Sequence, residues 1–192
     1  MFNKKTILIL FVVMALVQLY VPAKMIINFE TIIGSGTPFK FKIAPVDPLD
    51  PFRGKYITLD FTDVTASVPD PEAWRNGETI YVQLINDKNG YAIIQSVSKT
   101  KPDNKNFLEA KVGFIGSTND KKLFVKYSFD RFYMEETKAS DAETIYREAA
   151  RDAKQVAYAM VYVKEGEAAL TDVLINDVSI QKIVDDYNER KK

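Results

Sequence analysis

The chain has 192 residues, with 26 basic and 26 acidic side chains and neither histidine nor cysteine. The missing residue types exclude Ser-His-Asp and Cys-His catalytic sites, zinc sites built from thiolates and imidazoles, and disulfide bonds. Balanced charge argues against a sequence-independent nucleic-acid binder, which needs a broad basic surface to neutralise phosphates. We therefore expect no nucleic-acid partner, and we assign no metal site, no cofactor and no catalytic residue.

The N-terminal segment, residues 6–22, is uncharged and almost wholly apolar. As a helix it would be roughly 26 Å long, close to the roughly 30 Å hydrocarbon core of a bilayer. Lys4 and Lys5 precede it and only Lys24 closely follows, which favours a cytoplasmic N-terminus (residues 1–5) and export of the rest. The segment is a single-pass transmembrane anchor or a cleaved signal sequence, which would leave the domain secreted. Its length, with Pro22 and Lys24 at its end, favours retention.

Residues 25–33 stay apolar until Gly34 and Gly36 interrupt the pattern. Two interpretations remain open at this point. The anchor helix continues to about residue 33, with its last turns at the membrane interface or on the domain. Alternatively, this segment is the first core segment of the domain.

The remainder, residues 37–192, predicts one β-rich extracytoplasmic domain, periplasmic or at the cell surface. Alternating apolar residues and β-branched or aromatic runs predict about eight strands. These are residues 39–43, 55–64, 79–86, 91–98, 106–115, 122–129, 155–164 and 168–175. Asn89-Gly90 between the third and fourth strands favours a tight hairpin, and a turn at residues 165–167 joins the last two.

One packed helix is predicted near residues 141–153. Ser140 and Glu143 have the spacing of a capping box, and apolar residues then recur at helical intervals as far as Ala153. A short C-terminal helix is predicted around residues 180–187. The fold class is therefore mainly β (α+β), an N-terminal transmembrane helix followed by one antiparallel β domain.

The most specific stretch of sequence is R-G-K-Y-I-T-L-D-F at residues 53–61. Gly54, Tyr56 and Leu59 fill positions of the motif G-D-Y-x-x-L-x-Y, whereas Lys55 and Phe61 replace its aspartate and its final tyrosine. The chain resembles the bacterial GDYXXLXY family over nearly its whole length, including the membrane segment. The resemblance implies a membrane-anchored protein, in a family that includes proteins associated with multi-pass membrane proteins. It implies no activity, because the family is defined by sequence.

The loop before this motif is stiff, because Pro48 and Pro51 fix their own φ and push the preceding residues toward extended conformations. One interpretation is structural: the loop side chains cap backbone amides and pair with one another. The other is that this loop, residues 47–56, and a second segment, residues 131–136, form a polar recognition surface at one end of the sheet. The candidate binding residues are Asp47, Asp50, Arg53, Tyr56, Arg131, Tyr133 and Glu136.

Two classes of function follow. The leading hypothesis is a non-catalytic accessory or recognition module that docks a membrane-protein or envelope partner and contacts the lipid bilayer through residues 6–22. The alternative is a cell-envelope hydrolase or transferase using carboxylates around Asp47, Asp50, Glu135 or Glu136, in a cleft where at least one pKa is raised. Most aromatic side chains are expected in the core, and Trp74 is expected to plug the space under its own loop.

Overall fold

The computed structural model describes residues 3–44, 56–116, 120–152 and 154–191. The helices are α1 (Lys4–Ser35), α2 (Glu136–Arg151) and α3 (Ile180–Arg190), with a 3₁₀ turn at Pro71–Ala73. The strands are β1 (Thr37–Ala44), β2 (Tyr56–Thr58), β3 (Asp60–Phe61), β4 (Thr65–Ser67), β5 (Thr79–Asn86), β6 (Ala92–Ser98), β7 (Phe107–Ile115), β8 (Lys122–Lys126), β9 (Arg131–Tyr133), β10 (Ala157–Lys164), β11 (Glu167–Ile175) and β12 (Val178–Ser179).

The N-terminal apolar segment forms part of one continuous helix, α1. It has 32 residues and is therefore roughly 48 Å long. It is long and apolar enough to cross a membrane, and its most apolar stretch is not buried in the protein. Ile32 alone among its residues is buried. These properties are those of a membrane anchor or a signal sequence.

The last turns of α1 dock on the hairpin formed by β10 and β11. The Asn28 side-chain amide donates to a Glu167 carboxylate oxygen at 2.7 Å, and Lys164 Nζ donates to Ser35 Oγ at 2.8 Å. Ile32 is only 4% exposed. The segment at residues 25–33 is therefore the helical continuation, which extends to Ser35 with its end against the domain.

In the part of the chain that the structure describes, the strands form two five-stranded antiparallel sheets and one two-stranded pair. The first sheet has the order β12-β11-β10-β1-β3, the second has the order β4-β8-β7-β5-β6, and β2 pairs with β9. All eight predicted strand regions contain strands, one of them divided into β2 and β3. The additional strands β4, β9 and β12 are two or three residues long. The mainly β, α+β fold class is confirmed.

The two sheets share one hydrophobic core, because alternation directs one face of each strand inward. In β1, Phe39, Phe41 and Ile43 are buried whereas Lys42 is exposed. Most buried side chains of β5, β7, β8 and β10 join the same core, as do Ala142, Tyr146 and Ala149 of α2 and Ile180 and Val184 of α3. Trp74 is partly buried and packs against this core, with Lys99 Nζ 5.0 Å from the ring centroid.

Helix α2 begins earlier than the sequence predicts. The amide of Ala139 already donates to the Glu135 carbonyl, and Ala139 is buried, so the apolar stripe extends one turn further toward the N-terminus. Ser140 therefore lies inside the helix, where its carbonyl accepts from Thr144 Oγ1 at 3.1 Å, and it does not cap the helix. Ala153, at the predicted C-terminal end, lies outside the described residues.

Candidate functional site

The two-stranded pair β2–β9 holds three of the predicted site residues on its outer face. The antiparallel register places Tyr56 opposite Tyr133 and Ile57 opposite Phe132. Ile57 and Phe132 are buried in the core. Because successive residues of a strand point to opposite faces, Tyr56, Tyr133 and Arg131 point outward. We call these three residues the Tyr–Arg corner.

The side chains of the Tyr–Arg corner contact one another. The ring centroids of Tyr56 and Tyr133 are 5.4 Å apart at an interplanar angle of 57°, and Arg131 Cζ lies 5.0 Å from the Tyr56 centroid. The pKa of Arg131 is raised, first by a hydrogen bond to the Tyr133 side chain and then by the neighbouring Tyr56. The guanidinium therefore remains charged, and it contacts the Tyr56 ring face and the Tyr133 side chain.

The Tyr–Arg corner rests on buried residues and is itself exposed to solvent. The side chain of Arg131 is 51% exposed and Tyr133 is 63% exposed, although the residues beneath them are buried. The tilt between the two tyrosine rings rules them out as a single flat platform for a sugar ring. Together with the Arg131 cation they present two ring faces at an angle to each other. This surface suits a partner with an apolar group beside an oxygen acceptor.

Of the four other predicted site residues, the structure describes only Glu136. Glu136 is the first residue of α2, the helix that packs against β2, so it belongs to the same end of the domain. A carboxylate in the first helical turn also complements the helix dipole. Asp47, Asp50 and Arg53 lie outside the described residues, in the segment that directly precedes Tyr56 in the chain. The binding role of all seven residues stays a prediction.

The carboxyl group whose pKa burial raises, that of Asp63, is not one of the carboxylates predicted from the sequence. Burial raises the pKa of Asp63, and a hydrogen bond from the Ile94 amide partly offsets that rise. Because Asp63 bonds to the backbone of β6, it ties a loop to the second sheet. Glu135, by contrast, pairs with Lys138 at 3.6 Å and is exposed. Within residues 3–44, 56–116, 120–152 and 154–191, no group of three or more acidic side chains could hold a metal ion.

The structure also contains a groove that was not predicted from the sequence. A groove of about 680 Å³ lies between the end of α1 and strands β7, β8 and β11, and we call it the junction groove. Its lining includes Met25, Phe29 and Ile32 from α1 and Lys111, Lys126 and Glu167 from the strands. These residues come from four separate elements, and each taken alone reads as an ordinary helix or strand residue.

These features define a class of protein: a strand-rich α+β domain preceded by one apolar helix long enough to cross a membrane. The chain belongs to the GDYXXLXY family, because the model of that family, described as GDYXXLXY protein, matches residues 18–173. The resemblance seen in the sequence is thereby confirmed, and the match includes all three residues of the Tyr–Arg corner. Comparison with curated proteins and comparison with solved structures each found no match.

Proposed function

We propose that this protein is a membrane-anchored accessory or recognition module that binds a membrane-protein or envelope partner through its Tyr–Arg corner. The observation that carries the proposal is the outward placement of two tyrosines and an arginine on a strand pair whose other face is in the core. Tyrosine and arginine are enriched among the residues that dominate binding energy at protein interfaces. Here they are already in contact, so little side-chain freedom is lost when a partner binds.

The chemistry of the corner favours binding over catalysis. Arg131 donates hydrogen bonds and cannot act as a base at neutral pH, and the tyrosines offer ring faces and hydroxyls. A partner with a carboxylate or carbonyl oxygen beside an apolar side chain would match this surface. Asp47, Asp50, Arg53 and Glu136 are proposed to extend it.

The anchor is proposed to hold this surface outside the cytoplasm. Residues 6–22 would cross the bilayer, with Lys4 and Lys5 on the cytoplasmic side. A cysteine introduced at Lys88, exposed in the β5–β6 turn, tests this because the chain has no other cysteine. We expect a membrane-impermeant maleimide to label it in intact spheroplasts. Protection there, with labelling only after lysis, would contradict the topology.

Photo-crosslinking tests the corner itself. A photoreactive amino acid at Thr58, beside Arg131 in the β2–β9 register, should capture a discrete membrane or envelope protein in living cells. Truncating a central tyrosine or arginine of an interface costs about 2 kcal/mol or more, roughly a thirtyfold loss in affinity. We therefore expect Tyr133→Ala and Arg131→Ala to abolish the crosslink.

Tyr187→Ala is the matched control for these variants. Tyr187 is 39% exposed on α3 and has Lys191 Nζ 4.2 Å from its ring centroid, so it is another exposed tyrosine–cation pair. The crosslink should survive this substitution. If all three variants preserve the crosslink, the Tyr–Arg corner is not part of the interface. Repeated failure to capture a partner would contradict the proposal.

A further inference from the structure

The junction groove has an apolar wall that continues the proposed membrane span. Met25, Phe29 and Ile32 are spaced at i, i+4 and i+7, so they lie on one face of α1. Met25 is 68% exposed and Phe29 is 42% exposed. At about 1.5 Å per residue, Met25 lies only about 4.5 Å along the helix from residue 22. The groove therefore opens where a lipid headgroup would meet the end of the span.

Two lysines face this groove and form no ion pair with the residues that the structure describes. Lys111 of β7 and Lys126 of β8 are directly opposite each other in the antiparallel ladder, and both are exposed. Like charges in that position destabilise a sheet. Neither lysine forms an ion pair with a carboxylate of the described residues. A bound phosphate between them would relieve the repulsion and accept hydrogen bonds from both ammonium groups.

Two carboxylates lie at the other end of the groove. The amide of Glu109 donates to the Gly166 carbonyl at 2.8 Å, so this end of β7 adjoins the turn that leads to Glu167. Glu109 and Lys111 point to the same face of β7, about 7 Å apart along the strand. Glu167 also accepts the amide of Asn28 at 2.7 Å. The groove therefore separates positive from negative charge, which matches a zwitterion better than an anion.

We propose that the junction groove binds the headgroup of a zwitterionic aminophospholipid from the surrounding bilayer. Its phosphate would lie between Lys111 and Lys126, its ammonium would donate to Glu109 and Glu167, and an acyl chain would follow the apolar wall of α1. Carboxylates favour a primary ammonium, which donates hydrogen bonds, whereas quaternary ammonium groups are recognised by aromatic cages. This inference rests on the membrane anchoring proposed above.

Native mass spectrometry of the full chain in detergent tests the assignment. The protein is titrated with phosphatidylethanolamine, phosphatidylcholine and phosphatidylglycerol of identical acyl chains. We expect phosphatidylethanolamine to bind best. Lys111→Gln combined with Lys126→Gln should weaken its binding about tenfold or more, because two charge-assisted hydrogen bonds are lost. Glu109→Gln should narrow the preference for phosphatidylethanolamine over phosphatidylcholine.

Lys122→Gln is the matched control, because Lys122 is exposed on β8 and lies outside the groove lining. It should leave binding unchanged, and Trp74 fluorescence should show every variant folded. Equal binding of the three lipids, insensitive to the lysine variants, would overturn the proposal. So would a preference for phosphatidylglycerol that Glu109→Gln strengthens, because the groove would then recognise phosphate alone. The titration needs no protein partner, so its failure leaves the crosslinking test of the Tyr–Arg corner intact.

Discussion

We expect Phe41 to contribute more than any other side chain to the packing between the two sheets. It lies in β1 of the first sheet and is 2% exposed. Its ring centroid is 5.0 Å from that of Phe129, 5.3 Å from Tyr127 and 5.6 Å from Phe61, each in an edge-to-face arrangement. Tyr127 directly follows β8 of the second sheet. The Phe41 ring therefore joins both sheets at one point of the core.

Replacing Phe41 with alanine should lower the free energy of unfolding by about 4–5 kcal/mol. Core Phe→Ala substitutions cost about 3–5 kcal/mol through lost burial and the cavity left behind. Three aromatic contacts, each contributing roughly 0.5–1.5 kcal/mol beyond buried area, place Phe41 at the upper end of that range. Domains of this size are stable by about 5–15 kcal/mol, so a loss of this size is a large fraction of the total stability. Phe41→Leu keeps much of the volume and should cost about 1–2 kcal/mol.

Urea unfolding of the full chain in mild detergent, followed by fluorescence, measures these differences. Trp74 is the single tryptophan of the chain, and it packs against the domain core, so its emission reports on unfolding of the domain and of whatever is docked on it. Phe114→Ala is the control, because Phe114 is 59% exposed on β7 and should cost less than about 1 kcal/mol. If Phe41→Ala cost no more than this control, the aromatic contacts would not hold the sheets together.

Three further substitutions test local features by the same fluorescence measurement. Gly166→Ala should lower the free energy of unfolding by about 1–3 kcal/mol, because φ is +99° and the new Cβ would lie 2.9 Å from Phe107. Gly34→Ala in the last turn of α1 is the control. Its new Cβ meets no atom within 4 Å, so this substitution should be neutral or stabilising. A loss in both would contradict the reasoning. Asp63→Asn should stabilise by less than about 1 kcal/mol at pH 7, because burial raises the folded-state pKa of Asp63 and thus penalises the charged form, while the amide oxygen can still accept from Ile94. Lowering the pH toward about 4 protonates the wild-type carboxyl and should close this gap; a gap that stays constant with pH would be contrary evidence.

The features that the sequence predicts well are those set by neighbouring residues. The β5–β6 hairpin is one, because Gly90 adopts a φ of +83° and Asp87 Oδ1 accepts from the amides of Asn89 and Tyr91, each at 2.8 Å. Strand alternation in β1 is another. The start of α2 is less predictable, because Ser140 fits a cap locally, while packing of Ala139 against the domain extends the helix past it.

The Tyr–Arg corner depends on pairing between strands that are far apart in the chain. Each strand has only three residues, too short for periodicity to identify either one as half of a pair. Tyr56 is predicted from its place in the family motif, and no strand periodicity links it to Arg131 or Tyr133. The register of β2 and β9 then explains why they form one cluster, since Tyr56 is directly opposite Tyr133 and diagonal to Arg131.

The junction groove shows why a balanced composition says little about local electrostatics. Equal counts of basic and acidic residues argue against a broad basic surface, but they do not determine which charges become neighbours. The β7–β8 register brings Lys111 against Lys126, and the β10–β11 turn brings Glu167 toward Glu109. Strand topology thus separates positive from negative charge within one groove while the net charge there stays near zero. A ligand that carries both charges is therefore the electrostatic complement of this site, and a ligand with only one would meet repulsion at one end.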